Sequence, residues 1–137
     1  MQEYWPVFEL YQAIRGQILA VLTDEDLAFA PGGANPPLGV LCREIGETQH
    51  AYIESFQTLT CDFSYRRPEP ALASSVAALS AWYAELDARL KDVIEGLSEE
   101  QLQSQRVVRG PHFALPPRIQ LNIYQEALLI FYGKASV

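Results

Sequence analysis

The sequence predicts an all-α protein, a four-helix bundle with long crossover loops. Three observations carry this. Apolar residues recur at steps of three and four in four long segments, which places them on one face of a helix. The segments are separated by stretches rich in Pro and Gly that no helix survives. No segment shows the strict alternation of a half-buried strand. At 137 residues and 15.4 kDa the chain suits one domain, residues 1–137, large enough to bury a core without disulfides.

The first helix is expected over residues 5–22. Its stripe is Val7, Leu10, Tyr11, Ile14, Ile18, Val21 and Leu22, and Pro6 suits a first-turn position where a missing N–H costs nothing. Thr23-Asp24-Glu25-Asp26 carries an N-cap signature and can open one short turn. A loop follows through Pro31-Gly32-Gly33 and Pro36-Pro37. The second helix is expected over 38–60, with Leu38, Leu41, Ile45, Thr48, Tyr52, Phe56 and Leu59 as its stripe. Gly46 either weakens it or lets a neighbour approach closely.

The third helix is expected over 71–96. Val76, Leu79, Tyr83, Leu86, Leu90, Val93 and Leu97 follow a seven-residue period, which favours shallow crossing angles. Gly96 marks its stop, and Ser98-Glu99-Glu100-Gln101 a new short turn. Residues 104–117 hold Gly110, Pro111 and two further prolines and read as extended or looped. The fourth helix is expected over 117–137 with an inner stripe of Ile119, Ile123, Ala127, Ile130, Phe131 and Ala135. Leu121, Leu128 and Leu129 make it apolar nearly all round, which points to a homodimer covering the surplus.

Seventeen acidic residues against 10 basic ones give a formal charge of −7. This argues against nucleic acid as a partner, because phosphate binding needs concentrated Lys and Arg, and against anionic membrane surfaces. The longest apolar run, residues 127–132, is far short of the ~20 residues of a membrane span. The N-terminal residues show neither a basic segment nor an apolar one, so the reading is cytoplasmic. Cys42 and Cys61 form no Cys-x-x-Cys, and Cys42 reads as a small core residue.

A bundle builds its sites from side chains on facing helices. His50 falls beside the second stripe and His112 in the Pro-rich loop, and both read as boundary or surface residues. Glu47-Thr48-Gln49-His50 is a Glu-x-x-His, but a di-iron carboxylate site needs two of these and the fourth helix supplies none. Glu44 borders the second stripe, where a carboxylate either reaches solvent or occupies a pocket. No phosphate-binding glycine loop and no nucleophile elbow is present, and no cofactor is implied.

The first-helix register, the Leu22-Thr-Asp-Glu-Asp-Leu27 connection with its Pro-Gly loop, the Leu38-Gly-Val-Leu-Cys-Arg-Glu-Ile-Gly-Glu-Thr-Gln49 segment and the Phe131-Tyr132-Gly133-Lys134 ending together resemble the DinB/YfiT-like superfamily. The resemblance implies a four-helix bundle with a divalent metal, usually nickel or zinc. In such proteins one histidine on the second helix and a His-x-x-x-His pair on the fourth hold it. Those positions fall here on Glu44, Ala127 and Phe131. Alanine and phenylalanine cannot ligate, so the resemblance implies a degenerate pocket at Glu44, Ala127 and Phe131, with Glu47, His50 and Tyr124 as neighbours. Phe131 is expected to fill the space of a metal and its water, and Glu44 to reach solvent or pair with Arg43, Tyr124 or Lys134.

The function expected is small-ligand or partner binding without metal or catalysis. The first alternative is a metal-dependent hydrolase or thiol transferase of that family using Glu44, Glu47 and His50. The second is a helical interaction module.

Overall fold

In a computed structural model of the chain, residues 5–30, 36–110 and 113–135 are described, without the side chains of 102–104, 110, 113 and 131–135. The element order is α1 (Trp5–Val21), α2 (Asp24–Leu27), α3 (Leu38–Thr58), a 3₁₀ turn (Pro70–Ala73), α4 (Val76–Glu95), α5 (Glu99–Ser104), β1 (Val107–Gly110), β2 (Phe113–Leu115) and α6 (Pro117–Ala135). The four long helices are the expected four, and α3 packs on both α4 and α6, with α1 against α4. The fold is an all-α bundle carrying one short hairpin.

The two short turns form where the sequence offers caps. Thr23 and Ser98 each accept a hydrogen bond from the backbone three residues on. Asp26 and Gln101 return one to the cap residue, which closes a capping box at α2 and at α5. The third long helix starts later than the expected residue 71. Pro70 fits the first position of a 3₁₀ turn, and the Ser75 side chain accepts from the Ala78 N–H and caps α4 at Val76. The Asp24 carboxylate accepts from the Val76 N–H and ties α2 to the same start.

The looped region before α6 is a two-stranded antiparallel hairpin, Val107 opposite Leu115 and Val108 opposite Ala114. Its four- and three-residue strands are too short to show an alternation. The hairpin is moored to the exit of α3. Val108 N–H donates to the Leu59 carbonyl, and Cys61 N–H donates to the Val108 carbonyl. Leu59 takes a left-handed conformation, φ 61°, and closes α3 through its N–H to the Ser55 carbonyl. His112 lies outside the described residues.

The phase of the stripes is where the sequence reading needs correction. In α4 it holds: Leu79, Tyr83, Leu86 and Leu90 are buried. In α1 the inward residues are Trp5, Phe8, Arg15 and Leu19, whereas Leu10 and Val21 are 59% and 78% exposed. In α3 Cys42, Gln49 and Ile53 point inward beside Ile45, Tyr52 and Phe56, while Thr48 is half-buried. In α6 Gln120, Leu121, Tyr124 and Leu128 are the core face, and Ile119, Leu129 and Ile130 are exposed. Leu121 and Leu128 are therefore core residues and not surplus.

The phase moves because rim positions in α1 and α6 carry Val, Leu and Ile while inner positions carry Arg and Gln. Gly46 does permit a close approach: a Cβ there would sit 2.4 Å from the Trp82 ring.

Candidate functional site

The largest departure from an apolar core is a polar centre assembled by the four long helices. Arg15 of α1 is 2% exposed. Its guanidinium donates to Gln49 Oε1 of α3 at 2.7 Å and to Asp87 Oδ1 of α4 at 2.5 Å. Gln49 Nε2 donates to the same Asp87 oxygen at 2.9 Å. The guanidinium lies 4.1 Å from the centre of the Tyr83 ring, a cation–π contact. Tyr124 of α6 closes the group. It is fully buried, stacks on Phe8 at 5.7 Å and interacts electrostatically with Arg15.

Each of these placements follows from helix geometry. Positions 5, 8, 12, 15 and 19 share one face of α1, so Arg15 enters the core flanked by Phe8 and Leu19. Tyr83 and Asp87 are four apart on α4 and so neighbours on one face. Burial disfavours charge on Arg15, but Asp87 above all, with Tyr124 and Tyr83, outweighs it and holds the pKa above the ordinary arginine value. The Tyr83 hydroxyl donates to the Cys42 carbonyl, which fixes the ring under the guanidinium. Burial pushes the Cys42 thiol up to about 11, against the lowering effects of Tyr83 and Arg15.

This centre opens to solvent on one side. Asp87 has a side chain 25% exposed and forms one wall of a cleft of about 450 Å³ between α1 and α4. Gln12, Arg15, Ser80 and Tyr83 supply further polar lining, and Leu19 and Val76 are part of its apolar lining. Gln12 Nε2 is buried there with no hydrogen-bond partner.

The residues singled out from the sequence do not converge on it. Glu44 is exposed and makes no ion pair or hydrogen bond with a described residue. Glu47 is buried and accepts from the Arg67 N–H at 2.7 Å, which pins the segment leading to the 3₁₀ turn. Ala127 is half-buried, and the Phe131 and Lys134 side chains lie outside the described residues. Tyr124 belongs to the arginine centre.

His50 lines a second cavity, about 430 Å³, with Glu54, Asp62 and Tyr65. Its ring stacks on Tyr65, and burial, with Arg89, lowers its pKa. Among the described residues, no group of three or more His, Cys, Asp or Glu is placed to hold a metal ion.

Arg15, Gln49 and Asp87 were missed because each reads as a surface residue by type. The available signal was a second periodic set in the first helix, Trp5, Phe8, Gln12, Arg15 and Leu19, with steps of 3, 4, 3 and 4.

With the bundle and its centre described, comparison with known proteins gives one match. The sequence model of the DinB superfamily covers residues 12–131. The chain belongs to the DinB superfamily. The match spans all four long helices and includes Arg15, Gln49 and Asp87. Neither a curated protein nor a solved structure matches the chain. Among the described residues, no helix of this DinB-superfamily chain is long and apolar enough to cross a membrane.

Proposed function

We propose that this DinB-superfamily protein binds a small molecule in the α1–α4 cleft without using a metal. The observation that carries the reading is the buried Arg15–Gln49–Asp87 centre that opens to solvent through Asp87. Clefts that bind small molecules are a few hundred Å³, mostly apolar, with a few fixed polar groups. This cleft has that size and build, and its polar floor is held by partners from three helices.

Donor chemistry supports the metal-free part. Of the three residues at the family's metal position, Ala127 and Phe131 offer no lone pair, and Glu44 alone falls short of the three protein ligands usual in a catalytic site. No step is routed through a metal here.

A screen of a small-molecule library by ¹⁵N NMR tests the reading. Binding is expected to move the backbone signals of Gly16, Ser80 and Ala84, which line the cleft, and Ala84→Trp, an exposed position, is expected to block it. A screen in which those signals never move would overturn it, as would stoichiometric nickel or zinc in the purified protein.

We also propose that the protein is a cytoplasmic homodimer joined through α6. Ile119, Leu129 and Ile130 are exposed on that helix, the last at 60%. Light scattering is expected to give twice the 15.4 kDa chain mass. A monomer at micromolar concentration would refute it.

A further inference from the structure

The cleft's polar groups divide into those already committed and those left over. Arg15 is committed to Gln49 and Asp87. The Tyr83 hydroxyl is committed to the Cys42 carbonyl. Both hydrogen bonds to the Asp87 carboxylate land on Oδ1, from Arg15 and from Gln49, so Oδ2 keeps its accepting capacity on a side chain that lines the cleft. Gln12 Nε2 is a buried donor with no acceptor. The Ser80 side chain is exposed on the same lining and can both donate and accept. Buried polar groups in native proteins nearly always have a partner, and an orphan donor facing a cleft asks for an acceptor from outside the chain.

The charge of the site narrows the ligand class. Arg15 and Asp87 cancel, and no other ionisable group of fixed charge lines the cleft. An anion entering it meets the unspent Asp87 oxygen first. An organic cation on that oxygen meets the guanidinium already bound to the same carboxylate, and gives up its hydration for a charge that is half spent. A neutral head group that donates to Asp87 Oδ2 and accepts from Gln12 Nε2 leaves neither group unpaired. The walls beside it, Leu19, Leu22, Val76 and Ala84, are aliphatic.

We infer that the cleft between α1 and α4 takes a neutral amide with a short aliphatic body, its carbonyl on Gln12 Nε2 and its N–H on Asp87 Oδ2. This rests on the binding reading above and names the ligand class for it.

Butyramide, butylammonium and butyrate share one tail and differ in head-group charge. Titrated into ¹⁵N-labelled full-length protein at pH 7, butyramide is expected to move the Gly16, Ser80 and Ala84 signals at millimolar concentration. The ammonium and the carboxylate are expected to bind at least tenfold more weakly. Gln12→Leu removes the orphan donor at a half-buried position. It is expected to weaken butyramide about fivefold while leaving the melting temperature within a few degrees.

Equal or tighter binding of either ion in the cleft would overturn the amide assignment and leave the cleft standing as a binding site. Butyramide binding that Gln12→Leu leaves unchanged would overturn the assigned pose. No shift with any of the three probes would overturn the amide assignment. A blank library screen at the same signals is the separate result that removes the cleft reading itself.

Discussion

Replacing Arg15 by Met tests whether the bundle is organised around its guanidinium. The substitution keeps most of the side-chain volume and removes the charge and both donors. Gln49, fully buried, loses the only partner of its Oε1, and an unsatisfied buried acceptor costs about 1–3 kcal/mol. Asp87 loses its ion pair, and removing one member of a buried pair costs about 3–5 kcal/mol. Its side chain is a quarter exposed and water can take over part of that loss, so the low end of the range applies to it. The two losses share a network and do not add fully.

Together they give an expected destabilisation of about 3–5 kcal/mol, or roughly 10–20 °C in melting temperature for a domain of this size. Urea unfolding followed by circular dichroism reads it directly. The triple variant Arg15→Met, Gln49→Leu, Asp87→Leu removes every polar member of the network and is expected to recover most of the loss, since apolar replacements of buried ionic groups are often neutral or stabilising. A loss below about 1 kcal/mol for Arg15→Met, or a triple variant less stable than the single one, would refute the reasoning.

Four further outcomes follow from local contacts. Gly39→Ala would place a Cβ 1.8 Å from the Ala73 carbonyl oxygen, a backbone atom, so it is expected to destabilise by more than about 2 kcal/mol on thermal melting even though alanine favours helices. The Cys42 thiol, held near 11 and buried, is expected to resist an aromatic disulfide reagent at pH 8 until urea unfolds the chain. The His50 pKa is lowered in the fold by burial and by Arg89, so the unfolded chain binds the proton first; stability from this group is full above about pH 6.5 and falls as the pH drops below that, and His50→Gln is expected to flatten this part of the pH–stability curve. Glu44→Gln is expected to change stability by less than about 1 kcal/mol, because the carboxylate is exposed and unpaired among the described residues.

What the sequence made legible was element existence and type. The four long helices, both capped turns and the role of Gly46 were readable because caps, breakers and periodicity are local properties. The phase of α1, α3 and α6 was not. Burial is decided by which face meets a neighbour, and hydrophobicity reports this only when inner and outer faces differ in kind. In α4 they do, with Leu79, Leu86 and Leu90 inward and Glu85, Arg89 and Lys91 outward or at the margin. In α1 the contrast fails, because Leu10 and Val21 are outside and Arg15 inside. The site was illegible for the same reason: its members are an arginine, a glutamine and an aspartate that become a unit only when three helices bring them within hydrogen-bond distance.

That failure bears on function. An apolar filling of the same volume would serve the bundle's stability at least as well as an ion pair that must be desolvated, so stability alone gives no reason for Arg15 and Asp87 to occupy the interior. The network also does not seal itself. It spends both of its bonds to Asp87 on one oxygen, leaves the other available, and sits beside a glutamine donor with no partner. A core built only to hold helices in register would close those valences, as Glu47 is closed by the Arg67 N–H and Gln120 by Arg109 and the Ser55 hydroxyl. The valences left open are gathered on the one side where the centre meets solvent. A buried, preorganised charge pair with unspent hydrogen-bonding capacity at the floor of a cleft is what recognition of a small polar molecule requires, and the bundle's own cohesion does not require it.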